Sequence, residues 1–326
     1  MKMLNGMAFE EIRAWVYRNA RPIELVLWEY EFESGSQEAV LSALSHYQNK
    51  DGGFGHALEP DCWNPHSSPY TTLNAIGKLK AIHFSDITHP MVQGIFRFLE
   101  SGAHSCDNGW LFSIPSNDDY PHAPWWSYHP KTNEAESTGV TAGLVCFLLR
   151  LAPKESSLYK KAFGLAGQLL SRFNSPARQG DMGLSGYCDL LDTIKQLKLA
   201  DRLDISYLST NIKGHIDEAI VRDVPQWAHY CVRPSQFIQS PDSPFYPGNE
   251  DIVRKELDYL IDTRPENGTW DITWHWHDHY EKYPEAFAVS KNWWKADLDT
   301  GAIGKIKFLR RFDRLGFSSA CFRNGE

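Results

Sequence analysis

Four segments of the chain gather side chains able to do chemistry. Residues 56–66 (HALEPDCWNPH) set two carboxylates, Glu59 and Asp61, two imidazoles, His56 and His66, and the indole of Trp63 among prolines that stiffen the backbone. Such carboxylates either cap a helix start, here one near Tyr70, or serve a site, and the residue types allow both. Residues 117–126 (NDDYPHAPWW) form a long, aromatic-rich connection. Its adjacent Asp118 and Asp119 could hold a divalent metal, protonate an alkene if burial keeps one neutral, or supply one member of a glycosidase pair. Beside His122, the rings of Trp125 and Trp126 could face a carbocation or stack on a sugar. The plainer reading is a lid whose aspartates are solvated.

The third segment, 274–280 (WHWHDHY), carries histidines at every second position. In extended backbone His275, His277 and His279 share one side, opposite Trp274, Trp276 and Asp278. That pattern suits a zinc site or the polar wall of a cavity, although no cysteine lies nearby and structural zinc usually draws on two separated segments. The fourth, 291–300 (KNWWKADLDT), adds Trp293 as a further wall residue. Its Asp299 or Thr300 is placed to cap a final helix bearing Ala302, Ile303, Ile306 and Leu309, with Asp297 favouring the same positive end.

These segments need a scaffold, and apolar periodicity supplies one. Val40, Ala43, Leu44 and Tyr47 fall at i, i+3, i+4 and i+7, one stripe of a helix ending near Asn49. Gly52 and Gly53 then reverse the chain so that Phe54 folds back, and Gln48 can cap the carbonyls of the corner. Glycine-aromatic corners recur at 107–110 and 266–270, with a weaker one at 181–184. Helices are predicted at 8–19, 22–33, 36–49, 70–83, 89–102, 137–152, 156–173, 186–198, 203–220, 250–264 and 299–314, with few strand signals. Helical hairpins that cannot bury their faces alone stack on one another, so the expected fold is all-α, a single (α/α) toroid or barrel of about five to six hairpins. It would span 1–326 and include an N-terminal helical segment, 1–35.

The helix followed by Gln48-x-x-Asp51-Gly52-Gly53-Phe54-Gly55 resembles the QW-type, squalene-cyclase repeat of terpenoid cyclases and protein prenyltransferase β subunits, both α/α toroids. His66, Pro69, Tyr70, Asn74 and Ala75 extend the likeness over about thirty residues, and beyond them only the repeat rhythm matches. The resemblance implies an aromatic prenyl-binding cavity beside 56–66. Asp297-x-Asp299-Thr300 partly resembles the D-x-D-D acid motif of class II terpene cyclases, but it lacks the third aspartate and lies nearer the C-terminus. The zinc triad of the prenyltransferases is not assigned to residues here, since Asp189 follows Cys188 directly and Cys231 lacks a spaced aspartate.

Composition narrows the classes. The 326 residues carry a formal charge of −8, which disfavours nucleic acid, and the basic cluster Lys305, Lys307, Arg310, Arg311 and Arg314 is spread around its helix. With no bilayer-length apolar run, no signal-peptide profile and six scattered cysteines (62, 106, 146, 188, 231, 321), a cytoplasmic protein with reduced thiols is expected. No D-D-x-x-D, Walker or G-x-S-x-G motif is present. Three functions follow. The leading one is an isoprenoid-binding protein doing acid-initiated cyclisation, with Asp61, Asp118 or Asp119 as proton donor. The substrate would lie against His56, Glu59, Trp63, His66, Tyr70, His122, Trp125, Trp126, Trp274, Trp276 and Trp293. The others are an (α/α)-barrel carbohydrate hydrolase or lyase, and a non-catalytic toroid binding a ligand or partner subunit. A divalent metal, Mg or Zn, is the one cofactor the residue types suggest.

Overall fold

In the computed structural model, residues 2–174, 181–266 and 268–308 are described. Arg310, Arg311, Arg314, Cys321 and the turn residue Asn267 lie outside them. Helix dominates. In chain order the elements are α1 (Gly6–Asn19), α2 (Pro22–Phe32), α3 (Gln37–Ser45), α4 (Pro69–Ala81), α5 (Pro90–Glu100), the ribbon β1 (Ser105–Cys106) and β2 (Gly109–Trp110), and α6 (Pro130–Leu151). They continue with α7 (Ser157–Phe173), α8 (Asp181–Gln196), α9 (Ser206–Ala219), α10 (Glu250–Thr263), the short α11 (Asp278–Lys282) and α12 (Pro284–Phe308). Among the described residues no helix is long and apolar enough to cross a membrane.

Local chemistry accounts for the helix starts. Proline opens α2, α4, α5 and α6, where its missing N–H is not needed and its fixed φ suits the first turn. Side chains accept the free amides elsewhere: Asn5 from Ala8 at 2.8 Å, Ser68 from Thr71 at 3.0 Å and Ser156 from Tyr159 at 3.1 Å. Two expectations are corrected. The final helix does not start at 299: residues 291–300 form the middle of α12, which begins at Pro284, and the Thr300 hydroxyl donates to the Ala296 carbonyl at 3.1 Å rather than capping a helix. The weak corner at 181–184 is the first turn of α8.

The chain divides into two compact units, Met1–Leu44 with Ala219–Glu326, and Ser45–Glu218. In the first, α12 packs on α1, α2 and α10, around a core holding Phe9, Ile12, Trp28, Leu257, Trp270 and Ile303. Phe9 stacks on Trp28 with centroids 5.4 Å apart. Beside them the Glu33 carboxylate accepts from Arg13 at 2.7 Å, Tyr17 at 2.6 Å and the Trp28 indole at 2.8 Å. Partial burial pulls the Glu33 pKa upward, but those three donors outweigh it and hold the carboxyl below its ordinary value.

In the second unit α6 packs against α4, α7 and α8, and α5 packs against α7. The α6–α8 approach depends on small residues. A Cβ at Gly139 would come within 2.7 Å of Met182, and one at Gly186 within 2.8 Å of Ala142. The corners insert aromatic rings into the core of their own unit: Phe54 and Trp110 here and Trp270 in the first are all buried. At the first corner Gly52 has φ +97°, and Gln48 Nε2 donates to the carbonyls of Gly52 at 2.9 Å and Met91 at 3.0 Å, the capping expected of it.

Candidate functional site

The segment 56–66 leaves the Gly52 corner through two consecutive non-glycine residues in the left-handed region, His56 and Ala57, each with φ 57°. Such backbone costs on the order of 1–3 kcal/mol per residue and persists only where surroundings enforce it. The enforcement is visible. His56 N donates to the Asn64 carbonyl at 3.0 Å, and Asn49 Nδ2 donates to the Pro65 carbonyl at 2.9 Å while its Oδ1 meets His56 Nε2 at 2.9 Å. The twist turns Leu58, Glu59 and Asp61 inward. Both carboxylates are only 2% exposed, and Asn74 on α4 donates to Glu59 Oε2 at 3.2 Å.

Segment 117–126 is joined to this one edge to edge. Trp63 N donates to the Pro121 carbonyl at 2.9 Å and Ala123 N to the Asp61 carbonyl at 2.8 Å, flanking an antiparallel bridge between Cys62 and His122. Buried Asn64 donates through Nδ2 to Ser116 Oγ and Asn117 Oδ1, both at 2.9 Å, and Asn117 Nδ2 donates to the Trp126 carbonyl at 3.0 Å. His122 is buried with Nδ1 2.6 Å from the Tyr120 carbonyl and Nε2 2.9 Å from Ser127 Oγ. A carbonyl only accepts, so Nδ1 carries the proton and the ring orientation is fixed. His66 and Tyr120 meet at the exposed side, 3.3 Å apart.

The aromatic wall is Tyr70, Phe112 and Trp126. Tyr70 lies 4.2 Å from Trp126 and 5.6 Å from Phe112, and Phe112 stacks on Trp126 at 4.7 Å. Tyr70 and Asn74 share a face of α4 one turn apart, which sets this wall beside the Glu59 contact. The Trp126 indole N–H is buried with no hydrogen-bond partner. Trp63 is half-buried and donates to the Pro60 carbonyl at 3.1 Å, and Trp125 is half-buried. Burial raises the Cys62 thiol to about 12, so this cysteine is no nucleophile at neutral pH.

Of the expected proton donors only Asp61 is removed from water. Asp118 and Asp119 are exposed, and Asp118 accepts from the Tyr128 amide at 3.1 Å and lies 3.6 Å from His122 Nε2. Phe112, Asn117 and Ser127 belong to the junction without having been singled out in the sequence. An NDDYP run and paired glycines signal a loop, but not which carboxamide in it will be buried.

Segment 274–280 lies in the first unit and behaves differently. Trp276 is fully buried against Phe287 as core, not as a cavity wall, and Trp274 meets Trp294 edge-on at 5.3 Å. Trp293, on α12, lies under the Arg21 guanidinium at 4.7 Å, and Arg21 in turn pairs with Glu24. The extended alternation expected of His275, His277 and His279 breaks at His277, whose φ of 46° and ψ of −124° open α11. His275 then lies tilted against Tyr280 and Phe287, and His279 turns to Tyr283. Among the described residues no three His, Cys, Asp or Glu side chains gather as a metal site.

Comparison with protein-family models, with curated proteins and with solved structures returned no match.

Proposed function

We propose that the junction of 56–66 and 117–126 is the acid site of an α/α toroid that binds an isoprenoid-like chain and cyclises it. The observation carrying this reading is the burial of Glu59 and Asp61 to 2% exposure, just after the left-handed pair His56 and Ala57. Protonating an alkene takes a carboxylic acid that keeps its proton at neutral pH, and removal from water is the physical means of providing one. Asp61 is removed from water in this way and is the assigned donor. Glu59, held by Asn74, is the second acidic group. Tyr70, Phe112 and Trp126 offer ring faces to the cation that follows, and Trp63 flanks them. The proton given to the terminal double bond is recovered from the last cation, so the product is an isomer of the substrate. The helix-on-helix packing of the second unit, with glycine-aromatic corners between helices, supports the toroid reading.

The test is ligand-dependent stability. Isoprenoid alcohols are expected to raise the melting temperature of the unmodified protein and of Asp61→Asn alike, while extracts of purified protein yield an isoprenoid by mass spectrometry. Unchanged melting with every isoprenoid, together with isoprenoid-free extracts, would end the proposal.

A further inference from the structure

A half-open cavity of about 250 Å³ lies in the second unit between the β1–β2 ribbon and the first two turns of α6. Its lining includes two buried polar side chains, Asn133 and Ser137, one turn apart on α6. Asn133 is 3% exposed and doubly locked: its Oδ1 accepts from Ser113 N at 2.9 Å and its Nδ2 donates to Ser113 Oγ at 3.0 Å. A carboxamide has two donor hydrogens and an oxygen with two lone pairs, so one of each remains on a group that cannot rotate. Ser137 spends its hydrogen on the Asn133 backbone carbonyl and keeps acceptor capacity.

The rest of the lining selects a ligand by chemistry. The carboxyl oxygens of Asp107 and Glu134 offer acceptors to an occupant that presents donors; no lysine or arginine lines the cavity among the described residues, which disfavours an anion despite the nearby helix start. Asn108 adds an amide that both donates and accepts, and the Tyr128 ring and Leu111 give an apolar strip. At about 30 Å³ per water the volume holds roughly eight waters, which a single hydroxylated six-membered ring can replace. The geometry points to a binding site for one neutral polyhydroxylated ring, a monosaccharide or a cyclitol, separate from the acid site and independent of its reading.

Cys106, exposed on the cavity lining, reports occupancy. Its alkylation by iodoacetamide would be followed by peptide mass spectrometry, with the half-buried Cys231 as internal reference. The probes are D-glucose, D-galactose, D-xylose and myo-inositol, with cyclohexanol as the apolar control. At ten times the dissociation constant the Cys106 rate is expected to fall about tenfold for at least one of the four, with Cys231 unchanged. Protection by myo-inositol alone identifies a cyclitol, and protection by a sugar a monosaccharide. Asn108→Ala with Glu134→Gln, both at exposed positions, is expected to abolish the protection. The proposal is overturned if none of the four protects, if cyclohexanol protects equally, or if the double variant is protected as well as the unmodified protein.

Discussion

Residues 56–66 with 117–126 and residues 274–280 carry the same kinds of side chains, yet they are built in opposite ways. In the first pair, backbone amides, asparagines and a fixed imidazole lock two strips of chain together and hold two carboxylates away from water. In the second, one indole sinks into the core and the histidines turn to different neighbours, with His275 and His277 exposed. Residue type proposes chemistry, but preorganised burial distinguishes a site from a surface. In the first pair the asparagines make the difference, because each carboxamide satisfies several backbone or side-chain groups at once.

The largest effect that sharpens this contrast is expected at the corner that launches 56–66. Gly52→Ala places a Cβ 2.0 Å from the Gly94 carbonyl at φ +97°, and a loss of about 3 kcal/mol or more is expected. Gly248 in the other unit also has positive φ but open space around it, so Gly248→Ala should cost only about 1–2 kcal/mol. Urea midpoints of the two variants check the difference; equal losses would show that the corner is not tightly packed.

Next comes the polar lock. Asn64→Ala strands its buried partner Asn117 and is expected to cost about 2–3 kcal/mol, whereas His277→Ala should stay within about 0.5 kcal/mol. Similar costs for the two would erase the distinction drawn here.

A smaller effect is set by pH. Glu33 in the first unit has a folded pKa below its ordinary 4.5, so its contribution is fully present above that value and is lost as pH falls through the lower folded one. Glu33→Gln should flatten the acid limb of a stability-against-pH curve, and an unchanged limb would count against the network. The smallest effect is expected from metal. Zinc should shift the melting temperature no more in the unmodified protein than in His275→Ala, and a clear excess would restore a histidine site.

Much of the scaffold was legible because its signals are local. Stripes such as Val40, Ala43 and Leu44, and the glycine corner at 51–54, depend on residues a few positions apart, although α3 ends at Ser45, before Tyr47 and the expected end near Asn49. The start of α6 was missed because 131–136 is polar and shows no stripe, although Pro130 marked it. The start expected for the final helix, at 299, is a misreading of the same kind, since Lys-Asn-Trp-Trp-Lys hides the helical period that Pro284 begins. At the site, Glu59 and Asp61 could be named from composition alone. Their burial could not, because it depends on Trp63 and Asp61 pairing with Pro121 and Ala123, some sixty positions away.

The most direct test is turnover of a linear polyprene by the unmodified protein and by Asp61→Asn, followed by gas chromatography with mass detection. Cyclised isomers of unchanged mass are expected from the unmodified protein, and none from Asp61→Asn, whose ligand-induced rise in melting temperature persists. Product formed by Asp61→Asn at an undiminished rate, or none from the unmodified protein, would contradict an acid site at this junction.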